Sequence, residues 1–298
     1  MIYEITHLTR YTYGAIVGLT TGVLRLAPRS GDGQDVERFG IVTEPVSEPL
    51  TERLDPFGNR VTSLRIEIPH RQLSITASSR VRVDRAPAPT RSPTWETVAA
   101  EALAITSVDG DRPAISLYPS RGVSLFDEAT AYAKKSFTPQ RTIVGAASEL
   151  TQRIRSDFVY DCEATEVSTP AAEAFSRRRG VCQDFAHIMI AAVRGIALPA
   201  LYVSGYIRTI PPPGKERLAG ADASHAWVSL WCGATLGWID FDPTNAIPVE
   251  NDHVVVARGR DYSDVSPIES MVLSSGRPRL EVQVDVTPVY PARANRTE

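Results

Sequence analysis

The hydrophobic period of the chain changes once, and proline marks the change. From Tyr3 to about Val83, runs such as ITHLTRYTY, RVTSLRIEIP and LSITASSRVRV carry β-branched and alternating residues; in LRIEIP, Leu64, Ile66 and Ile68 alternate with Arg65 and Glu67. Asp55-Pro56-Phe57-Gly58-Asn59 supplies turn chemistry between two such runs. Residues 84–95, DRAPAPTRSPTW, then bring in Pro87, Pro89 and Pro93, which cannot donate ladder hydrogen bonds and read as an exposed connection. Beyond them, in GAASELTQRIRSDF, Ala147, Leu150, Ile154 and Phe158 recur at helical spacing. A chain of 298 residues has room for about two domains. The period change places an N-terminal antiparallel β domain at 1–88 and a second domain at 89–298.

The second domain reads as α+β. In STPAAEAFSRRRG, Thr169 is the expected N-cap, Pro170 the first helical residue and Gly180 the point where the chain is redirected. VCQDFAHIMIAAVRGIALP follows as a buried helix, with Cys182, Phe185, Ala186, Met189 and Val193 on one face and Pro199 ending it. ALYVSGYIRT, HAWVSLWC, GWIDFDPT and LEVQVDVTPV read as strands of an antiparallel sheet in this domain.

Hydrophobic residues make up 43% and charged residues 22% of the chain, which sets disorder and fibres aside. A formal net charge of -3 argues against nucleic acid as the main partner. The opening MIYEITHLTRYTYGAIVG has no basic segment followed by an apolar one, and no run suits a bilayer, so a cytoplasmic protein without membrane contact is expected. Three cysteines, Cys162, Cys182 and Cys232, form no disulfide framework.

Chemistry concentrates on Cys182. A thiol at a helix N-terminus sits where the macrodipole favours thiolate, the nucleophilic form. His225 opens one strand, in Ser224-His225-Ala226-Trp227, and Asp242 closes the next, in Phe241-Asp242-Pro243-Thr244. The segment between them suits two short antiparallel strands joined at Cys232-Gly233-Ala234-Thr235. A thiol, an imidazole and a carboxylate in that order meet the needs of an activated nucleophile, although Asp240, two residues earlier on the same strand face, fits the spacing as well.

Other groups have plainer readings. Cys162 and Cys232 read as inert buried residues, Asp184 as a carboxylate at the positive helix end, His187 as an internally bonded histidine, and Arg177, Arg178 and Arg179 as a solvated face. No metal is expected: Cys162, Cys182, His187 and Cys232 include soft ligands, but no C-x-x-C or H-E-x-x-H occurs.

GVCQDFAH, YVSGY, DASHAWVSL, GWIDFDPTNA and the GRDYSDVSP segment from Gly259 to Pro267 together resemble the transglutaminase-like superfamily of thiol enzymes, in its bacterial branch. The resemblance implies an N-terminal β-sandwich-like domain before a papain-like α+β core, with the cysteine helix packed on an antiparallel sheet. It implies Cys182 as nucleophile, His225 as general base and acid, and Asp242, four residues after Trp238, as the group that orients the imidazole. The implied activity is acyl transfer at an amide bond through a Cys182 thioester. The substrate would be a peptide or protein amide, with an amine or water as acceptor. A cysteine peptidase or amidase, and a non-catalytic peptide-binding module on the same fold, are the alternatives, and the exposed strand edges of the β domain could recruit a partner.

No cofactor is implied. Calcium activates animal relatives, but no complete D-x-[DN]-x-[DN]-G loop occurs, and Ser30-Gly31-Asp32-Gly33 and Asp109-Gly110-Asp111 read as turns. Ala197 stands where relatives usually place glycine, and Leu201 where a basic residue is common. The upstream tryptophan that serves relatives as oxyanion donor has its nearest counterpart in Trp95, within the connection, which leaves the Tyr160 hydroxyl and the Cys182 N–H as candidates. The loop 211–224 is a candidate lid.

Overall fold

The computed structural model describes residues 1–107, 113–209, 223–272 and 278–290. In chain order the strands are β1 (Ile2–Val17), β2 (Thr20–Leu24), β3 (Gln34–Glu44), β4 (Thr51–Leu54), β5 (Arg60–Ile66) and β6 (His70–Val83), followed by helices α1 (Trp95–Ala104), α2 (Asp127–Lys134) and α3 (Ile143–Asp157). Then come β7 (Val159–Tyr160), α4 (Ala171–Arg177), β8 (Arg179–Gly180), α5 (Cys182–Arg194), β9 (Ala200–Ile207), β10 (Ala223–Trp231), β11 (Trp238–Phe241), β12 (His253–Gly259), α6 (Tyr262–Val265), β13 (Ile268–Val272) and β14 (Arg279–Val289). Asp109-Gly110-Asp111, and the 211–224 loop up to residue 222, lie outside the described residues.

The alternation of the first 83 residues supplies six strands of two four-stranded antiparallel sheets, ordered β14-β1-β6-β3 and β13-β2-β5-β4. Tyr13, Val17, Leu73 and Ile75 from one sheet meet Leu24, Leu64 and Ile66 from the other in a closed apolar layer, which makes the pair a sandwich. Ile68, expected to continue the buried alternation, falls past the end of β5 and is exposed. The last strand corrects an expectation. LEVQVDVTPV does not join the sheet of the second domain: β14 pairs with β1 from Thr12↔Arg279 to Ile2↔Val289, and β13 pairs with β2. Alternation marks a strand but carries no information about its partner. The C-terminal residues therefore complete both sheets of the N-terminal sandwich.

The second half packs helices on an antiparallel sheet ordered β11-β10-β9-β12. Its central helix, α5, is buried on every side from Gln183 to Arg194, beyond the single face expected, because α2, α3, α4 and the sheet surround it. Several of the polar residues this encloses bond to main-chain groups. Arg194, 2% exposed, donates to the carbonyls of Tyr118, Ala200 and Arg260. The chain leaves α5 through Ala197 at φ 61°, in the left-handed region that favours glycine. The preceding helix differs from expectation at both ends: Pro170 is its N-cap, and Arg178 at φ 54° rather than Gly180 ends it. Thr169 is instead held by the Glu166 N–H. The Arg178 guanidinium lies 4.2 Å from the Phe175 ring centre and 4.6 Å from that of Phe158, so it covers aromatic surface rather than extending a solvated face. Its neighbours pair with Glu173 and Asp161.

One continuous core joins the halves, since Tyr3, Ile5, Val81, Val83, Val284 and Val286 of the first sheet cluster with the residues of α5. Strand β12 ends this second sheet, and two carboxamides take the place of a fifth strand. Gln34 exchanges two 2.8 Å hydrogen bonds with the Val255 main chain. Asn59, within the Asp55–Asn59 turn, does the same with Arg258 at 2.7 and 2.8 Å. A buried edge strand needs such cover for its backbone groups. Asn59→Ala leaves the Arg258 N–H and C=O unpaired and is expected to cost about 2–3 kcal/mol in urea unfolding. Ala197→Gly is expected to gain about 1 kcal/mol in the same measurement by relieving left-handed strain.

Candidate active site

Cys182 is the first residue of α5 and is half-buried. Its place is set by three neighbours. Val181 is extended, at φ -110°, and its N–H donates to Asp184 Oδ2 at 2.8 Å, which also accepts from Thr165 Oγ1 at 2.6 Å. This is the end-of-helix role expected of Asp184, although burial raises its carboxyl pKa more than these bonds lower it. Gly180 must lack a side chain, because a Cβ there would lie 2.5 Å from Asp184 Oδ2. Parallel pairing of β8 with β7 then brings Tyr160 alongside Gly180, two residues before the thiol. Burial, followed by the charges of Cys182 and Cys162, pushes the Tyr160 hydroxyl up to about 12, so it remains an O–H donor at neutral pH. Cys162, expected to be buried, is exposed and lies near that hydroxyl.

His225 lies on β10 opposite Gly205 of β9. Its Nε2 is 2.9 Å from Asp242 Oδ2 and 3.3 Å from Asn245 Nδ2, and Cys182 is close enough to act on the imidazole, which leaves Nδ1 for the sulfur. Asp242, one residue past β11, has no exposed surface. Its Oδ1 accepts from the N–H groups of Thr244 and Asn245 at 2.9 and 3.1 Å, and its Oδ2 also accepts from Asn245 Nδ2 at 2.9 Å. Burial alone would raise its pKa; the bonds from His225 and His253, the His225 charge and Asn245 outweigh it and hold the carboxyl far below its ordinary range. The same opposition acts on His225: burial would lower the imidazole, but hydrogen bonds and charge from Asp242 and Cys182 raise it to about 9.

Register separates Asp242 from Asp240. Pairing of β10 with β11 sets Asp240 opposite Ser229 and Phe241 opposite Val228, which brings the residue after Phe241 back toward His225. Asp240 accepts from Trp227 Nε1 at 3.0 Å and faces Arg258 at 3.5 Å. It supports the tryptophan beside the histidine rather than the histidine itself. Gly205 makes room for that tryptophan, since a Cβ would lie 2.4 Å from its ring.

The remaining expected residues fall outside this cluster. His187 is 3% exposed, accepts from the Tyr262 N–H at 3.2 Å, and is lowered to about 4 by burial. Cys232 is fully buried, which pushes its thiol well up. The Trp95 indole donates to Thr138 O at 2.9 Å. The soft-ligand set does not assemble. Among the described residues a different group converges: ligand atoms of His225, Asp242 and His253 lie within 4.8 Å of one another, with both Nε2 atoms engaged by Asp242 Oδ2. Sequence reasoning missed His253 and Asn245; the available signal was a histidine opening the apolar run HVVVA.

Residues 3–82 match the bacterial transglutaminase-like N-terminal region, and residues 130–243 match the transglutaminase-like superfamily. An uncharacterised protein of Mycobacterium tuberculosis is 36% identical over 296 residues, spanning 96% of this chain and 92% of that protein. One from Mycobacterium leprae is 30% identical over 290 residues, spanning 95% and 98%. The chain belongs to the transglutaminase-like superfamily. Its fold matches the crystal structure of a candidate cysteine protease from Cytophaga hutchinsonii with a TM-score of 0.74, at 22% identity over 98% of this chain and 92% of that one.

In this transglutaminase-like chain the raised His225 pKa carries a sign for stability. A folded value of about 9 against an unfolded value of about 6.5 gives a contribution present in full below 6.5 and lost as pH rises through 9. The stability difference between wild type and His225→Gln, from urea unfolding, is expected to shrink between pH 6.5 and 9.5. In a histidine Cε1–H NMR titration, Asp242→Asn is expected to lower the His225 midpoint by more than one unit. Asp240→Asn is expected to move it far less.

Proposed function

We propose that the protein is a thiol acyl-transfer enzyme acting on peptide or protein amide bonds. The observation that carries the reading is the run of contacts from Cys182 at the head of α5, through His225, to the buried Asp242. The Cys182 sulfur, its proton passed to His225, attacks the amide carbonyl and forms a C–S bond. His225 returns the proton to the nitrogen as the C–N bond breaks, releasing an amine or ammonia and leaving a thioester. In the second half, His225 takes a proton from the acceptor, which attacks the thioester and frees the thiol. An amine acceptor makes the reaction transamidation; water makes it hydrolysis. The Cys182 N–H and the Tyr160 hydroxyl are the donors this reading assigns to the oxyanion, and Asp242 keeps the imidazole oriented.

A glutamine-containing peptide with hydroxylamine separates the outcomes. Hydroxamate with ammonia release marks transamidation, ammonia alone marks hydrolysis, and absence of both together with no acyl-Cys182 by mass spectrometry overturns the reading. Cys182→Ala is expected to abolish turnover, His225→Ala to reduce kcat about 10²–10⁴-fold, and Tyr160→Phe about tenfold or more. Because His225 must be protonated to expel the amine, kcat/KM is expected to fall as pH rises through about 9.

A further inference from the structure

The Asp242 carboxylate has a second imidazole on it, and the acyl-transfer reading leaves that imidazole without a task. His253 Nε2 lies 3.2 Å from Asp242 Oδ2, the same oxygen that accepts from His225 at 2.9 Å. His253 opens β12, with β9 between it and β10, and its ring is T-shaped against Trp227 at 5.2 Å between centroids. It has no exposed surface. Its main chain is pinned from both sides: the carbonyl accepts from Arg85 Nη1 at 2.9 Å, and the N–H donates to Glu250 O.

Geometry also assigns the tautomer. An atom facing a carboxylate that accepts at every contact must donate, so the proton sits on Nε2. Nδ1 is then the lone-pair end, and it is buried with no hydrogen-bond partner among the described residues. An unpartnered buried ring nitrogen is a standing cost that a phenylalanine would avoid. What a phenylalanine would lack is the single N–H aimed at Asp242.

We infer that His253 is a positioning residue of the site, whose Nε2–H fixes the Asp242 carboxylate on the Nε2 edge of His225 and shares its charge. The inference rests on the acyl-transfer reading for its consequence in turnover. Three donors, from His225, His253 and Asn245, share this oxygen and divide its basicity, so His253 helps set how strongly Asp242 holds the His225 proton. The groups facing this pair are Asp242 after β11, His225 on β10 with Cys182 beyond it, and Arg85 from the connection. The Asp240–Arg258 pair stands behind Trp227, and Asp252 is turned away to Tyr3 and Arg208.

The test uses the full chain with His253→Phe, which keeps a ring and removes the donor, and His253→Gln, which restores an N–H. Both are first matched to wild type by circular dichroism. On the glutamine-containing peptide, His253→Phe is expected to lower kcat about 10–100-fold with KM within twofold of wild type. Without the His253 donor, the His225 Cε1–H titration midpoint is expected to rise by about half a unit or more. His253→Gln is expected to return both values most of the way to wild type. A His253→Phe enzyme with wild-type kcat and an unmoved His225 midpoint overturns the inference. So does a His253→Gln enzyme as impaired as His253→Phe, because a purely structural role would not follow the donor. The NMR titration needs no substrate, so a wild type inactive on amides would end the acyl-transfer reading while the His225 midpoint still decides whether His253 acts on the carboxylate.

Discussion

A carboxylate with no exposed surface keeps its charge only if donors replace the water it has lost, and the Asp242 site is organised around that requirement. Two backbone N–H groups from the turn after β11, the Asn245 amide and two imidazoles supply them. A charge held in this way raises the neighbouring imidazole to about 9 despite burial, and the imidazole is what couples to the thiol. Removing any donor would alter the balance between desolvation and hydrogen bonding that sets both groups.

The elements that deliver these groups are rigid for reasons unrelated to the chemistry. Helix α5 presents Cys182 from a fully buried segment, anchored at one end by Asp184 on the Val181 N–H and at the other by Arg194 on three carbonyls. Strand β10 is held between β9 and β11, so His225 cannot shift without breaking a sheet. The sandwich supports the far edge of that sheet through Gln34 and Asn59, and its first sheet shares the core that contains α5. Stability of the N-terminal half and geometry of the site are therefore linked through β12, the strand that also carries His253.

Much of this was legible from local pattern. Alternation named the strands of the sandwich, helical spacing named α3 and α5, and Pro87, Pro89 and Pro93 marked the connection. Cys182 at a helix start, His225 on a strand and the turn at Cys232-Gly233 follow from residues a few positions apart, because caps, periods and turns are short-range physics. The φ of 61° at Ala197 is a left-handed conformation that favours glycine, so the resemblance's expectation of glycine at this turn has a local physical reason.

Partners distant in the chain were not legible. Alternation could not tell that β14 belongs beside β1, because a strand face records burial and not its neighbour. Spacing could not separate Asp240 from Asp242, because both lie on one face and only the β10–β11 register turns one to Trp227 and the other to His225. Cys162 on the surface and His253 on Asp242 were likewise set by packing across elements. The sequence by itself determined the kinds of element and the residues with the right chemistry, since those depend on neighbours along the chain. Which of those residues meet was decided only by tertiary structure, because hydrogen bonds to a buried carboxylate depend on register and strand order, and these are fixed when the whole core closes.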